Sequence, residues 1–355
     1  MADNEKVLIK GNEAIAEAAV RAGCRGYFGY PITPQNEVPE YMSRRLPEVG
    51  GVFVQAESEL ASINMVYGAT AAGVRAMTSS SSPGISLMQE GISYIAGAET
   101  PAVILNMMRG GPGLGNIAPS QADYLQATKG GGHGDYNLIV FAPSTVQEIV
   151  DIVYNAFDVA FKYRNPVMIL ADGIMGQISE AVSMPPMRDP AAIPDWALGN
   201  GKSRAVIKSL RLSPDDALAA HNKHLQEKLA KIRKEVVQSE NYKCDDADYI
   251  VVAYGTPARI TKTVVDALRE EGLKVGLFRP ITIWPFPYDA LKAISDKISS
   301  KPNAKIFVAE MAQNQLEQDV RMAVEGKVAI DSFNRLGGVN FDEEDLFDFI
   351  KKSVK

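Results

Sequence analysis

The sequence predicts an α/β protein whose main sheet is parallel and covered by helices on both faces. Three observations predict it. Short β-rich runs alternate with helical patterns along the first part of the chain. The runs at 103–108 and 137–141 are strongly apolar, as strands buried on both faces are. The same rhythm restarts at Asp248, after a proline-rich break.

Taken in order, residues 12–22 place Ile15, Ala18, Ala19 and Ala22 at helical spacing, with Gly23 as a stop. A short aromatic strand at 26–30 is broken by Pro31-Ile32-Thr33-Pro34. There Thr33 reads as an N-cap and Pro34 as the first residue of a helix running toward Arg45. A strand at 51–55 precedes a helix at 57–72 that ends at Gly73, and a strand at 75–78 leads into a loop, Ser79-Ser80-Ser81-Ser82-Pro83-Gly84. A helix to about Ala98, the strands 103–108 and 137–141, a helix at 144–161 and a strand at 166–170 complete the first unit. Met184-Pro185-Pro186-Met187-Arg188-Asp189-Pro190 and Pro194 form an extended connector. A polar helix then runs from Pro214 to about Val237, either a solvated strut or a surface for a partner. The second unit has strands at 249–253, 275–278 and 306–309, a helix from Gly255-Thr256-Pro257 to Glu271, a helix starting near Gln313 and an acidic helical tail from Asp342. The predicted division is 1–184, 185–247 and 248–355.

The bulk properties narrow the function classes. At about 100–200 residues per domain, 355 residues suit two or three domains. Apolar residues at 46% and charged residues at 23% are ordinary for a soluble globular protein. The formal charge of −6, with no basic block, gives no footprint for nucleic acid. No apolar stretch is long enough to span a bilayer, and the charged start has no leader-like core, so no membrane contact and a cytoplasmic location are expected. Cys24 and Cys244 are too few for a zinc site, an iron–sulfur cluster or a disulfide framework within this chain.

Ligands of parallel sheets sit beyond the carboxyl ends of strands. Four loops qualify, at 30–34, 55–59, 78–84 and 109–116, all predicted to share one sheet edge. They bring Thr33, Glu57, Glu59, the serine run and Arg109. Each also has a plain structural reading. Thr33 can cap a helix, Glu57 and Glu59 can complement a helix dipole, Arg109 can pair with one of them, and the serines can bond their own backbone. Gly113-Leu114-Gly115-Asn116-Ile117-Ala118 fits a dinucleotide fingerprint formally, but Pro112 and Pro119 flank it and no acid ends the next strand. His133, among glycines, suits proton transfer or substrate contact. His221 and His224, on the polar helix, read as surface residues.

Tyr30-Pro31-Ile32-Thr33-Pro34, Glu57-Ser58-Glu59, Thr78-Ser79-Ser80-Ser81-Ser82-Pro83-Gly84 and Arg109-Gly110-Gly111-Pro112 together resemble the α-type subunit of the 2-oxoacid:ferredoxin oxidoreductases. Gly255-Thr256 and Phe278-Arg279-Pro280 through Trp284-Pro285-Phe286-Pro287 resemble that family's second domain. The resemblance implies a pyrimidine-type thiamine-diphosphate-binding domain followed by a domain like the C-terminal domain of transketolase. It implies oxidative decarboxylation of a 2-oxoacid with coenzyme A to acyl-CoA, carbon dioxide and reduced ferredoxin. The wording of 29–135 is most similar to the branched-chain, 2-oxoisovalerate type, with the 2-oxoglutarate type and a non-catalytic scaffold as alternatives.

The diphosphate motif Gly-Asp-Gly is absent, Ala171-Asp172-Gly173 being the nearest string. The implied holoenzyme is therefore a hetero-oligomer with at least two copies of each subunit. A diphosphate-binding β-type subunit, a γ-type subunit and a ferredoxin-like iron–sulfur subunit would supply Mg2+ and the [4Fe-4S] clusters. By the resemblance, Glu59 is the catalytic carboxylate that shares a proton with the pyrimidine ring, and Glu57, two residues earlier on the same predicted helix, faces away. Pro31, Ile32, Ser81 and Ser82 join Glu59 in cofactor binding. Thr33, Arg109 and His133 contact the 2-oxoacid, Ile32, Met107 and Met108 wall its side chain, and Lys129 is the one cation nearby for a distal carboxylate.

Overall fold

The computed structural model describes residues 6–201 and 215–354. The charged start at 1–5 and Pro214, the predicted beginning of the polar helix, lie outside the described residues. A seven-stranded sheet forms the first lobe, in the order Thr282–Trp284, Ile139–Phe141, Val167–Asp172, Val103–Met108, Ala76–Ser80, Gly26–Gly29, Val52–Gln55. Six strands are parallel, and Thr282–Trp284 runs antiparallel to Ile139–Phe141. From Gly26–Gly29 the chain steps outward to Val52–Gln55, then returns to lay Ala76–Ser80 on the opposite side. That reversal opens a crevice at the carboxyl ends of Gly26–Gly29 and Ala76–Ser80, where ligands of open α/β sheets bind. A short antiparallel pair, Val7–Lys10 with Ser179–Val182, lies outside this sheet.

The second lobe is a five-stranded sheet in the order Ala329–Asn334, Lys305–Glu310, Tyr249–Val252, Val275–Pro280, Ser239–Tyr242, the last antiparallel. Its first strand in the chain, Ser239–Tyr242, leaves the connector region, and Thr282–Trp284 crosses back to the other lobe's sheet. Neither has an apolar run long enough to announce a strand. Each is made by pairing with a distant partner.

The polar helix, Asp215–Glu235, is neither a strut nor a free surface. Leu225, Leu229 and Ile232, followed by Val236, form a stripe at 3- and 4-residue spacing that is buried against the first lobe. His221 is buried rather than on the surface, its Nε2 2.7 Å from the Gly97 carbonyl oxygen. His224 and Lys228 both reach Glu99, at 3.1 Å each. The stripe is narrow, and the surrounding charges hide it in the sequence.

Buried Glu310 ends its strand at the N-terminus of the helix Leu316–Val324, accepting N–H bonds from Gln315, Leu316 and Glu317 at 3.1, 3.0 and 3.3 Å. Burial outweighs these donors and pushes its pKa up from 4.5 to about 7. The folded chain thus binds a proton that the unfolded chain releases between those values. The stability from this group is fully present below about pH 4.5 and lost as pH rises through about 7. The loss amounts to about 3 kcal/mol. Urea midpoints are expected to fall between pH 5 and 8, with Glu310→Gln flattening that slope; an unchanged slope in the variant would rule the assignment out.

Candidate active site

The four predicted loops do meet at one edge, because their parent strands are parallel neighbours in the sheet. Their local structure differs from expectation in three places. Thr33 does not cap a helix. The helix is Glu37–Glu48, and the Thr33 hydroxyl accepts from Asn36 Nδ2 at 3.2 Å. The backbone here is held as a turn by side-chain donors. Arg109 donates to the Thr33 carbonyl at 2.9 Å, and Asn12 and Gln177 donate to the Pro34 carbonyl at 2.9 and 3.2 Å. Glu57 is not helical either. Ser58 is the N-cap, its Oγ accepting from the Ala61 N–H at 3.3 Å, and Glu57 is left exposed before it. The serine run is not a loop. Ser79 and Ser80 finish the strand, Ser81 is the single linking residue, and Ser82 opens the helix Ser82–Gly97 with Pro83 in its first turn.

Glu59 is the first residue of the helix Glu59–Ala71, where an acid suits the positive end of the helix dipole. It is only 5% exposed, with the Ser80 hydroxyl 3.4 Å from its Oε1. Gly84 is required beside it, since a Cβ there would collide with the Glu59 carboxylate and the Ser80 hydroxyl. No cation reaches Glu59 among the described residues, so the plain structural alternative, a pairing with Arg109, is not formed there.

Arg109 is also buried, at 7% exposure. Its guanidinium donates to two carbonyls, Thr33 at 2.9 Å and Leu114 at 3.2 Å, and its Nε has no partner among the described residues. A buried cation held by carbonyls alone keeps its charge available for an anionic ligand. Ser81 is fully buried with an unpartnered hydroxyl, and so is Asn106 with an unpartnered Oδ1. Pro31 is exposed at the rim and Ile32 half-buried.

Two expectations fail on position. His133 is exposed on its glycine loop, and its carbonyl accepts from Ser93, 2.7 Å away. Ser93 lies eleven residues along the helix from Ser82, about 16 Å, which separates His133 from the cluster. Met107 and Met108 are core residues with no exposed surface, because their strand is covered on both faces. The exposed large apolar side chains on the loop that follows Arg109 are instead Leu114 and Ile117, at 81% and 65%. Sequence reasoning also passed over Asp123. It accepts from Ser82 Oγ at 2.5 Å and Asn106 Nδ2 at 2.9 Å, and its one signal was an acid in a loop that returns to the site.

Residues 17–246 match the family model described as "Pyruvate flavodoxin/ferredoxin oxidoreductase, thiamine diP-bdg". The chain belongs to this family. Residues 247–346 match its companion, "Pyruvate:ferredoxin oxidoreductase core domain II". As a 2-oxoacid:ferredoxin oxidoreductase α-type subunit, the chain is 47% identical over 353 residues to the ketoisovalerate oxidoreductase subunit VorB of Methanothermobacter thermautotrophicus, covering 97% of each chain. It is 38% identical over 364 residues to the 2-oxoglutarate synthase subunit KorA of Methanocaldococcus jannaschii, covering 95% of this chain and 97% of that one. Among solved structures, the 2-oxoglutarate:ferredoxin oxidoreductase of Magnetococcus marinus superposes with a TM-score of 0.85 at 26% identity, over 99% of this chain and 66% of that chain. A split-gene transketolase, at TM-score 0.61 and 14% identity, shares the fold.

The oxidoreductase edge fits the pyrimidine half of thiamine diphosphate. It has an unpaired buried carboxylate at Glu59 and an orphaned hydroxyl at Ser81. Among the described residues no group of three or more His, Cys, Asp or Glu side chains could hold a metal ion. Asp172, the remnant of the nearest Gly-Asp-Gly-like string, is fully engaged elsewhere. Its carboxylate accepts from Ile174 N (3.1 Å), Met175 N (3.3 Å), Thr256 N (3.1 Å) and Thr256 Oγ1 (2.8 Å), locking the two lobes together. Ser82 gives its proton to Asp123, which leaves its oxygen as an acceptor only. No helix among the described residues is long and apolar enough to cross a membrane.

Proposed function

We propose that the chain is the pyrimidine-side subunit of an enzyme that oxidatively decarboxylates branched-chain 2-oxoacids to their coenzyme A esters, with ferredoxin as electron acceptor. The observation that carries the substrate class is the surroundings of Arg109. The Arg109 guanidinium pairs with no acid among the described residues, and the loop that follows it, whose Leu114 carbonyl it holds, carries exposed apolar Leu114 and Ile117 and no Lys or Arg. Lys129, the candidate clamp for a distal carboxylate, is tied to Asp319 in the second lobe. The name of the relative from M. thermautotrophicus, a ketoisovalerate oxidoreductase subunit, supports the same reading.

In this proposal Glu59 holds a proton shared with the pyrimidine ring nitrogen, and its burial keeps competing water away. Pro31 and Ile32 form the rim against the ring, and the Ser81 hydroxyl takes up one of its polar atoms. Arg109 orients the 2-oxoacid carboxylate, while the Thr33 hydroxyl, at the half-buried turn, donates to the keto oxygen. When bound, thiamine diphosphate supplies the electron sink for decarboxylation. A β-type partner would hold its diphosphate and Mg2+, and γ-type and ferredoxin-like subunits carrying iron–sulfur clusters would complete an assembly with at least two copies of each chain.

The test is a substrate panel on the reconstituted complex. The specificity constant for 2-oxoisovalerate is expected to exceed that for 2-oxoglutarate by about a hundredfold or more, because an unpaired carboxylate in an apolar pocket is costly. Shorter and longer aliphatic 2-oxoacids should react within about 1–3 kcal/mol of the best one. A preference for 2-oxoglutarate would overturn the substrate class and leave the family membership untouched.

A further inference from the structure

Asp123 lies on a segment that leaves the site at Arg109 and is then fastened to the second lobe on both sides of it. Two residues before it, buried Gln121 makes four bonds across the lobes. Its N–H donates to the Met311 carbonyl at 2.9 Å and its Nε2 to the Tyr254 carbonyl at 3.0 Å. Its Oε1 accepts from the Met311 N–H at 2.9 Å, and its carbonyl from the Tyr254 hydroxyl at 3.4 Å. One and two residues after it, the buried Tyr124 hydroxyl donates to Asp319 at 2.5 Å and the Leu125 N–H to Gln315 Oε1 at 3.0 Å. The carboxylate between these anchors therefore has little freedom.

From that fixed position Asp123 Oδ2 takes the proton of Ser82 Oγ at 2.5 Å and an amide proton of Asn106 at 2.9 Å. A serine hydroxyl has one proton. With it committed to Asp123, the Ser82 oxygen is left as the acceptor for the Arg109 backbone N–H, 3.1 Å away. Together with the bridge between Arg109 and Pro119, this bond holds the Arg109 main chain, the base of a guanidinium that binds two carbonyls among the described residues.

We infer that Asp123 is a positioning residue: fixed by the second lobe through Gln121 and Tyr124, it orients Ser82 and so places Arg109 for the substrate carboxylate. This rests on Arg109 binding the 2-oxoacid. It gives the second lobe a task at a site where, among the described residues, none of its side chains bonds to Arg109. A displacement of about 1 Å in a substrate-orienting group is enough to cost activity severely.

The experiment uses the reconstituted holoenzyme with Asp123→Ala, Ser82→Ala and the double variant, reading KM and kcat for the 2-oxoacid and KM for coenzyme A. Each single variant is expected to raise the 2-oxoacid KM about tenfold, with kcat and the coenzyme A constant much less affected. Because both sever one relay, the double variant should be no worse than the weaker-binding single. Independent effects that multiply in the double variant would overturn the relay. So would unchanged KM values accompanied only by a lower thermal midpoint. Should Asp123→Ala fail to assemble, Ser82→Ala decides alone, and an unaltered 2-oxoacid KM in it refutes the inference. Wild-type enzyme that turns over no 2-oxoacid would instead refute the parent reading, and this one with it.

Discussion

Replacing Glu59 by Gln is expected to slow proton exchange at the thiazolium C2 of bound thiamine diphosphate by about two orders of magnitude or more, and turnover with it. Glutamine keeps the volume and polarity of the side chain but cannot share a proton with the ring. Glu59 is nearly inaccessible, no cation reaches it among the described residues, and its neighbour in sequence, Glu57, is exposed. Cofactor affinity should change far less, since on the proposed reading a partner subunit supplies the diphosphate contacts. Glu57→Gln is the control. Its carboxylate is exposed and, among the described residues, hydrogen-bonded to the Ser58 hydroxyl alone, at 2.8 Å, so near-wild-type exchange is expected. An exchange defect in Glu57→Gln and not in Glu59→Gln would move the catalytic assignment by two residues.

The second large effect concerns Asp172. Removing its carboxylate with Asp172→Ala strands four donors, the buried Met175 and Thr256 N–H groups and Thr256 hydroxyl and the part-buried Ile174 N–H, and the expected loss is about 3–5 kcal/mol of unfolding free energy. Burial raises its pKa, and only these donors offset the desolvation. The site is shaped for it. Gly255 has φ +59° and leaves room for the carboxylate, a Cβ there coming to 3.1 Å from both Asp172 Oδ2 and Gln121 Nε2. Denaturant titration of the variant checks this, and a change below about 1 kcal/mol would show that water reaches the donors.

How much of this was legible in the sequence depended on range. Strands such as Val103–Met108 and helices such as Val146–Tyr163 follow from local periodicity, and the shared edge of the four loops follows from the parallel sheet alone. Thr33, Glu59 and Arg109 were legible as candidates from the strand ends, and the roles proposed for them only through resemblance. The misses are non-local. The turn at Thr33 is held by donors from Asn12, Gln177 and Arg109, far apart in sequence. The burial of Met107 and Met108 depends on helices on both sides, and the separation of His133 from the cluster depends on where its loop lands on Ser82–Gly97. Asp123 escaped notice because its meaning lies in Gln121 and Tyr124, whose partners are more than a hundred residues away.

The antiparallel strand Thr282–Trp284 carries a consequence for how the chain is made. It seals the Ile139–Phe141 edge of a sheet whose other six strands have all left the ribosome by residue 172. Until more than a hundred further residues emerge, the nascent sheet presents an open row of N–H and C=O groups, the kind of template on which chains aggregate. The first lobe is therefore a protein that needs its own far end, or a chaperone in the interval, to finish its border. Truncation in the second lobe upstream of Trp284 should yield insoluble material rather than a smaller folded domain, however complete the first lobe looks on paper.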